Sequence, residues 1–184
     1  DRSSTPHGRV AVFYDHEEIG STTAFGAGGE VTRRYIERLV KARGRGGIDF
    51  DRLWSRTLLI SNDGAHARHP NYKDKHDPGY APTLGGGPVI KKSAIRRYAT
   101  ELEPSAWFAA LGEEIGSPIQ YLQNRSDMKA GSTIGPAVAS RLVVRSVDIG
   151  IPMLAMHSVR ETASLKDIEH MVHILASAYT RGLQ

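Results

Sequence analysis

Hydrophobic positions along the chain fall into two patterns, short apolar runs and longer stretches of helical period. The short runs are rich in β-branched and aromatic residues, as in buried strands, and cover residues 9–14, 57–61, 89–90, 119–122, 147–149 and 153–156. Apolar residues at helical spacing predict helices over residues 30–41, 92–102, 104–114, 133–144 and 165–179. Alternating strands and helices predict an α/β fold with a mixed, mostly parallel sheet flanked by helices.

Polar clusters follow three of the predicted strands. Asp15-His16-Glu17-Glu18 follows the first, Asn62-Asp63-Gly64 follows the second, and His157 follows the last. Ligands of open α/β sheets bind at the carboxyl ends of the strands. The three clusters are therefore expected to converge on one point.

Adjacent glutamates beyond a buried strand are costly unless a cation or a proton compensates their charge. Glu17 and Glu18 suit two different roles, in which one carboxylate binds a metal ion and its neighbour faces a metal-bound water. The alternative is an exposed, charged turn, and the glutamate pair alone favours that alternative.

Asp63 and His157 each have a structural and a functional interpretation. Asp63 is suited either to be a hard oxygen ligand or to cap a turn. His66 and His69, which follow it, lie either on one side of a helical turn or on the surface without a role. A lone histidine such as His157 is more often structural than a ligand. Its significance comes from the other two clusters, because zinc in hydrolases favours histidine and carboxylate ligands.

Composition limits the class of protein that this chain can be and the kind of metal site that it can contain. The 184 residues are 40% hydrophobic and 24% charged, which is typical of a globular domain. The absence of cysteine excludes disulfides and thiolate metal sites, and it fits a cytoplasmic location. No apolar run reaches the roughly 20 residues of a membrane span. The net charge of +4, with no aromatic residues within the basic stretch 41–45, argues against a nucleic-acid partner.

Several motifs together resemble the aspartyl aminopeptidase family of dinuclear zinc metallopeptidases. The resemblance extends over nearly the whole chain, in the order found in the family. The matching segments are Phe13–Ser21, Asp63–Tyr72, Gly85–Lys91, Asp127-Met128, Gly131–Pro136, Val147–Pro152 and Leu154–Glu161.

The resemblance implies a role for each candidate site residue. Glu17 is expected to be the catalytic general base, Glu18 and His157 the ligands of one zinc ion, and Asp63 a ligand of the other. Cobalt or manganese would suit the same donors. Lys91 and Tyr98 match positions of the family's substrate pocket, although Lys91 also fits a surface lysine beside Lys92. The implied activity removes amino-terminal residues, commonly Asp or Glu, from peptides with a free amino terminus.

The family also has elements that this sequence does not contain. These are an upstream metal-binding histidine, a metal-bridging aspartate and an inserted domain that builds dimers and larger assemblies. Residues 1–184 are therefore expected to be the C-terminal segment of a metallopeptidase catalytic domain that forms homo-oligomers at full length. Two other classes of protein stay open, a non-catalytic scaffold of the same fold and another co-catalytic zinc hydrolase, such as a deacylase or an endopeptidase.

Overall fold

The computed structural model describes residues 8–128, 131–132 and 134–181, and these form five α-helices, two short 3₁₀ turns and seven strands. The helices are α1 (Val31–Ala42), α2 (Ile48–Ser55), α3 (Leu102–Glu114), α4 (Ile134–Leu142) and α5 (Leu165–Arg181). The strands are β1 (Leu58–Asn62), β2 (Ala65–His66), β3 (Val89–Lys92), β4 (Gln120–Gln123), β5 (Arg145–Gly150), β6 (Pro152–Leu154) and β7 (Thr162–Ala163). The α/β class is confirmed.

The main sheet has four strands in the order β1-β5-β3-β4. β1 pairs with β5 and β3 pairs with β4 in parallel, whereas β3 and β5 are antiparallel. A second sheet has the order β2-β6-β7, and β2 is parallel to β6. A backbone hydrogen bond of 3.1 Å from the Asp63 N–H to the Ile149 carbonyl connects the parallel pair β1/β5 with the parallel pair β2/β6. The prediction of a mixed, mostly parallel sheet holds for the main sheet.

Two apolar clusters cover the two faces of the main sheet. One lies beneath α3 and α5, and its buried members include Phe108, Val147 and Ile149. The other lies beneath α2 and α4 and includes Trp54 and Val138. Successive side chains of a strand point to opposite faces. In β1, Ile60 therefore packs against the first cluster and Leu59 against the second.

The predicted strand over residues 9–14 is wrong. No strand in the described part of the chain pairs with this segment, and Val10, Val12 and Phe13 are exposed. An extended run becomes a strand only when another strand satisfies its N–H and C=O groups. The apolar sequence is therefore necessary for a strand here but not sufficient.

The predicted helix over residues 92–102 is also wrong, since this segment turns back toward β5. Arg96 has a φ of 57°, which a helix does not accommodate. The N–H of Glu101 donates to the Ser146 carbonyl at 3.0 Å, so β5 satisfies backbone groups that a helix would pair internally. The short helix α2 was not predicted. The predicted helix 133–144 begins at Thr133, which lies outside the described residues.

No helix in the described ranges combines the length and the apolar character needed to cross a bilayer.

Candidate metal centre

A left-handed residue positions the glutamate pair. His16 has a φ of 63°, and a single 3₁₀ turn, Glu17–Ile19, follows it and ends at Gly20, whose φ is 99°. Nδ1 of His16 lies 2.8 Å from Oγ1 of Thr23. The N–H of Ser21 donates to the His16 carbonyl at 2.9 Å. These bonds close a tight loop, in which Glu17 is partly buried and Glu18 is exposed.

Asp63 lies directly after β1, where the main sheet gives way to the smaller one. Its Oδ1 accepts the N–H of Gly64 at 2.7 Å. Gly150 on β5 makes the close approach possible, because a Cβ at that position would lie 1.9 Å from the Asp63 carbonyl oxygen. Gly150 has no left-handed φ, so a glycine is needed at this position for space rather than for backbone conformation.

His157 follows β6 in a second left-handed conformation, with a φ of 68°. Its backbone N–H donates to Oε1 of Glu161 at 2.5 Å. Four of the six non-glycine residues with positive φ in the described ranges are His16, Ser21, Ala155 and His157. Backbone strain of this kind clusters at functional sites.

The predicted site residues from the three clusters come together. Nε2 of His157 lies 3.1 Å from Oε2 of Glu18, and both side chains are exposed to solvent. Burial raises the pKa of Glu17, and the nearby carboxylates of Asp63 and Glu18 raise it further. His157 and Lys91 act on Glu17 in the opposite direction. Glu17 therefore shares one electrostatic environment with the other candidate residues.

Lys91 is only 1% exposed, which excludes the surface-lysine interpretation. Its ammonium donates to the Gly64 carbonyl at 3.2 Å, and it lies 3.7 Å from Oδ2 of Asp63. The Tyr98 ring centroid is 5.4 Å away. Burial lowers the pKa of Lys91, while Asp63 and Asp148 oppose that change. Lys91 and Tyr98 thus form one buried cationic and aromatic pair beside Asp63.

His66 also belongs to this environment, although the sequence motifs assigned it no role. The residue keeps contact with solvent, but packing around its ring partly desolvates it and lowers its pKa. His157 and Lys91 lower the pKa further, and Asp63 opposes them. The sequence pointed to His66 only through a helical turn shared with His69, and the structure instead places His66 on β2.

Comparison with known proteins identifies the family. The family model described as aminopeptidase I zinc metalloprotease (M18) matches residues 1–179. The chain belongs to this family. A probable M18 family aminopeptidase 2 from Stutzerimonas stutzeri is 48% identical over 171 residues, which are 93% of this chain and 39% of that protein. The chain thus spans about two fifths of the length of this relative.

Solved structures of M18 relatives share the fold. The structure described as the Ape4 and Nbr1 complex matches with a TM-score of 0.87 and 36% identity, over 91% of this chain and 32% of the other. The S. cerevisiae mApe1 dodecamer matches with a TM-score of 0.79 and 28% identity, over 91% and 37% of the two chains.

The donors in this M18 chain fit part of a zinc site. Ligand atoms about 2.0–2.1 Å from a tetrahedral zinc lie roughly 3.3 Å from each other, and the Glu18 and His157 atoms are 3.1 Å apart. Within the described ranges no three histidine or carboxylate side chains are close enough to hold an ion by themselves. The chain therefore offers Glu18 and His157 as a pair and Asp63 as a separate donor.

Proposed function

We propose that this chain is part of the catalytic domain of a zinc aminopeptidase, with Glu17 as its general base. The observation that carries the proposal is the contact between Glu18 and His157, 3.1 Å apart, beside the desolvated carboxylate of Glu17. An imidazole and a carboxylate at this spacing suit one zinc ion, and a second carboxylate, that of Glu17, is placed to accept a proton.

Each residue has its own part in the proposed reaction. Glu18 and His157 would hold one of two zinc ions and Asp63 the other, with cobalt or manganese as substitutes. Bound zinc supplies Lewis acidity and lowers the pKa of water. Glu17 takes the proton of the attacking water on its carboxylate and returns it to the leaving amine. A raised pKa suits this role, because a carboxylate that is costly to ionise is a stronger proton acceptor.

The proposed substrates are peptides with a free amino terminus and an acidic first residue. Lys91 supports the acidic preference, since it presents a buried ammonium, held by the Gly64 carbonyl and close to Asp63. A charge-assisted hydrogen bond to a substrate carboxylate is stronger than a neutral one. Tyr98, whose ring lies beside the same ammonium, would form the neighbouring wall of the pocket.

The proposal assigns the remaining donors to a part of the family's polypeptide that this chain does not match. The chain covers 39% of the S. stutzeri relative, and the described ranges contain no group of three or more histidine or carboxylate side chains that could hold an ion. We also propose homo-oligomeric assembly of the complete enzyme, by analogy with the yeast dodecamer.

A non-catalytic scaffold is the second candidate function. The lack of any three-donor group in the part of the chain described by the structure favours it. The cluster of charges around Glu17 opposes it, because a scaffold has no use for carboxylates that repel each other.

A chimeric enzyme tests the proposal. The 171 matching residues of the S. stutzeri protein are replaced by those of this chain, and the chimera is assayed with added zinc on Asp, Glu and Ala p-nitroanilides. The same amides with acetylated amino termini are the matched controls. We expect hydrolysis of the free amides, fastest for Asp and Glu, and none of the acetylated set. The chain alone is expected to bind zinc weakly and to hydrolyse little.

Three outcomes would count against the proposal. A folded chimera that is inert, while the unmodified relative is active, favours the scaffold. Cleavage of acetylated substrates favours a different class of zinc hydrolase. Full activity of the chain alone would contradict the view that further ligands are required.

A further inference from the structure

Asp148 is a buried carboxylate to which neither the sequence motifs nor the proposed mechanism gives a role. It lies on β5 and is 0% exposed. A charge that far from water is costly unless hydrogen bonds compensate it. Its surroundings therefore indicate what the residue is for.

The side chain of Asp148 holds the segment that carries Tyr98. Oδ2 of Asp148 accepts the backbone N–H of Ala99, the residue after Tyr98, in a short hydrogen bond. The segment forms no helix or strand, and the Ser146 hydroxyl, which donates to the Ala99 carbonyl, holds it together with this bond.

The backbone of Asp148 connects to Lys91 through one hydroxyl. Its N–H donates to Oγ1 of Thr100 at 3.0 Å. That hydroxyl in turn donates to the Lys91 carbonyl at 2.6 Å. One residue of β5 thus contacts both Ala99 and Thr100, and through Thr100 it also fixes the backbone of Lys91.

The first turn of α4 confines the carboxylate from the other side. A Cβ at Gly135 would lie 2.1 Å from Oδ1 of Asp148. Asp148 also acts on both pocket residues electrostatically. Burial lowers the pKa of Lys91 and Asp148 opposes that change, whereas burial raises the pKa of Tyr98 and Asp148 adds to it. The carboxylate is therefore close to the pair and has little room to move.

We propose that Asp148 is a positioning residue for substrate specificity, which holds Tyr98 and Lys91 in the geometry that recognises an acidic amino-terminal residue. The inference rests on the proposed function, because it assumes that this pair lines the pocket. The carboxylate of Asp148 acts through the Ala99 N–H, and its backbone N–H holds the Thr100 hydroxyl.

Specificity separates this role from a merely structural one. We expect Asp148→Ala in the chimera to lower kcat/KM for the Asp amide at least about tenfold, mainly through KM, with little change for the Ala amide. Asp148→Asn keeps an acceptor oxygen for the Ala99 N–H, and we expect a smaller decrease, about threefold. Should the alanine variant fail to fold, the asparagine variant alone decides between the two roles. Zinc affinity is expected to stay within about twofold.

Val147→Ala is the matched control, because Val147 is equally buried on β5 but faces the opposite layer. It should lower the free energy of unfolding and leave the ratio of Asp to Ala hydrolysis unchanged. An unchanged ratio of Asp to Ala hydrolysis in the folded Asp148 variants, whether both rates fall equally or neither falls, would overturn the proposal.

Amide hydrogen exchange in the 184-residue chain tests the anchoring without any activity. The Ala99 N–H is expected to be protected, and Asp148→Ala should speed its exchange at least tenfold, while Val147→Ala speeds it less. An unprotected Ala99 N–H in the parent chain would refute the anchoring. If the parent chimera is inactive, the proposed function fails by itself, and the exchange result still decides whether Asp148 positions the segment.

Discussion

Nε2 of His157 lies 3.1 Å from Oε2 of Glu18, although one residue follows β6 and the other precedes α1. Both belong to short segments with left-handed residues. The contact brings a carboxylate and an imidazole to the spacing of two ligands on one zinc ion.

Removing either partner of this pair should weaken zinc binding by the chimera. Loss of an outer-shell residue costs roughly 10–100-fold in metal affinity, so Glu18→Ala and His157→Ala are each expected to cost at least that much. Isothermal titration with zinc chloride measures the change. Glu114→Ala, which removes an exposed ion pair with Arg181, is the control and should leave the affinity unchanged. Wild-type affinity in both site variants would rule out this pair as ligands.

Glu17→Gln should abolish turnover in the chimera while zinc stays bound. The amide is nearly the same size as the carboxylate but cannot accept the proton, and general base catalysis contributes roughly 10²–10⁴-fold. Steady-state kinetics on the Asp amide give kcat, and metal analysis of the purified variant gives the zinc content. A kcat within threefold of the parent would show that another group takes the proton.

Asp167→Ala should destabilise the chain by about 3 kcal/mol or more, measured by urea unfolding. Its buried carboxylate accepts the N–H of Gly85 at 2.8 Å and that of Gly87 at 2.7 Å, and hydrogen bonds to a charged group contribute about 1.5–3 kcal/mol each. The exposed ion pair of Asp127 with Arg125 provides the control, and Asp127→Ala should cost less than about 1 kcal/mol. Equal effects of the two substitutions would mean that the loop containing Gly85 and Gly87 is not anchored through Asp167.

The chain should lose stability as the pH falls below about 6.5, the ordinary pKa of histidine. Burial lowers the pKa of His76, with contributions from the nearby His66 and Arg68, and Nε2 of His76 accepts the N–H of His69 at 3.2 Å. The folded state resists a proton that the unfolded state binds, so stability is full above the unfolded pKa and declines below it.

Urea unfolding at a series of pH values tests this dependence. His76→Gln should flatten the decline, because glutamine offers an acceptor oxygen that does not titrate between pH 7 and pH 5. Exposed His173 on α5 is the control, and His173→Gln should leave the slope unchanged. An unaltered slope in the His76 variant would assign the pH dependence to other groups, such as His66, whose pKa is also lowered.

Local sequence patterns determined most of the secondary structure. Helical spacing located α1 and α5, and the apolar run before Asn62 located β1, each to within about two residues of the ends in the structure. These elements follow from side-chain periodicity, which is a property of neighbouring residues. The motifs likewise indicated the family, since residue identity in order is itself local information.

Tertiary structure decided the features that depend on a distant partner. The apolar residues 9–14 form no strand, because strand pairing needs a second segment at the correct register. The motifs singled out Lys91, but burial of its ammonium beside Gly64 and Asp63 requires the residues after β1 to reach the side chain of β3, although β5 lies between the two strands. Asp148 lies in one of the matching segments, but its role comes only from the loop and the helix that pack around it. The sequence determined which residues are available for chemistry, and the packing of remote segments decided which of them meet.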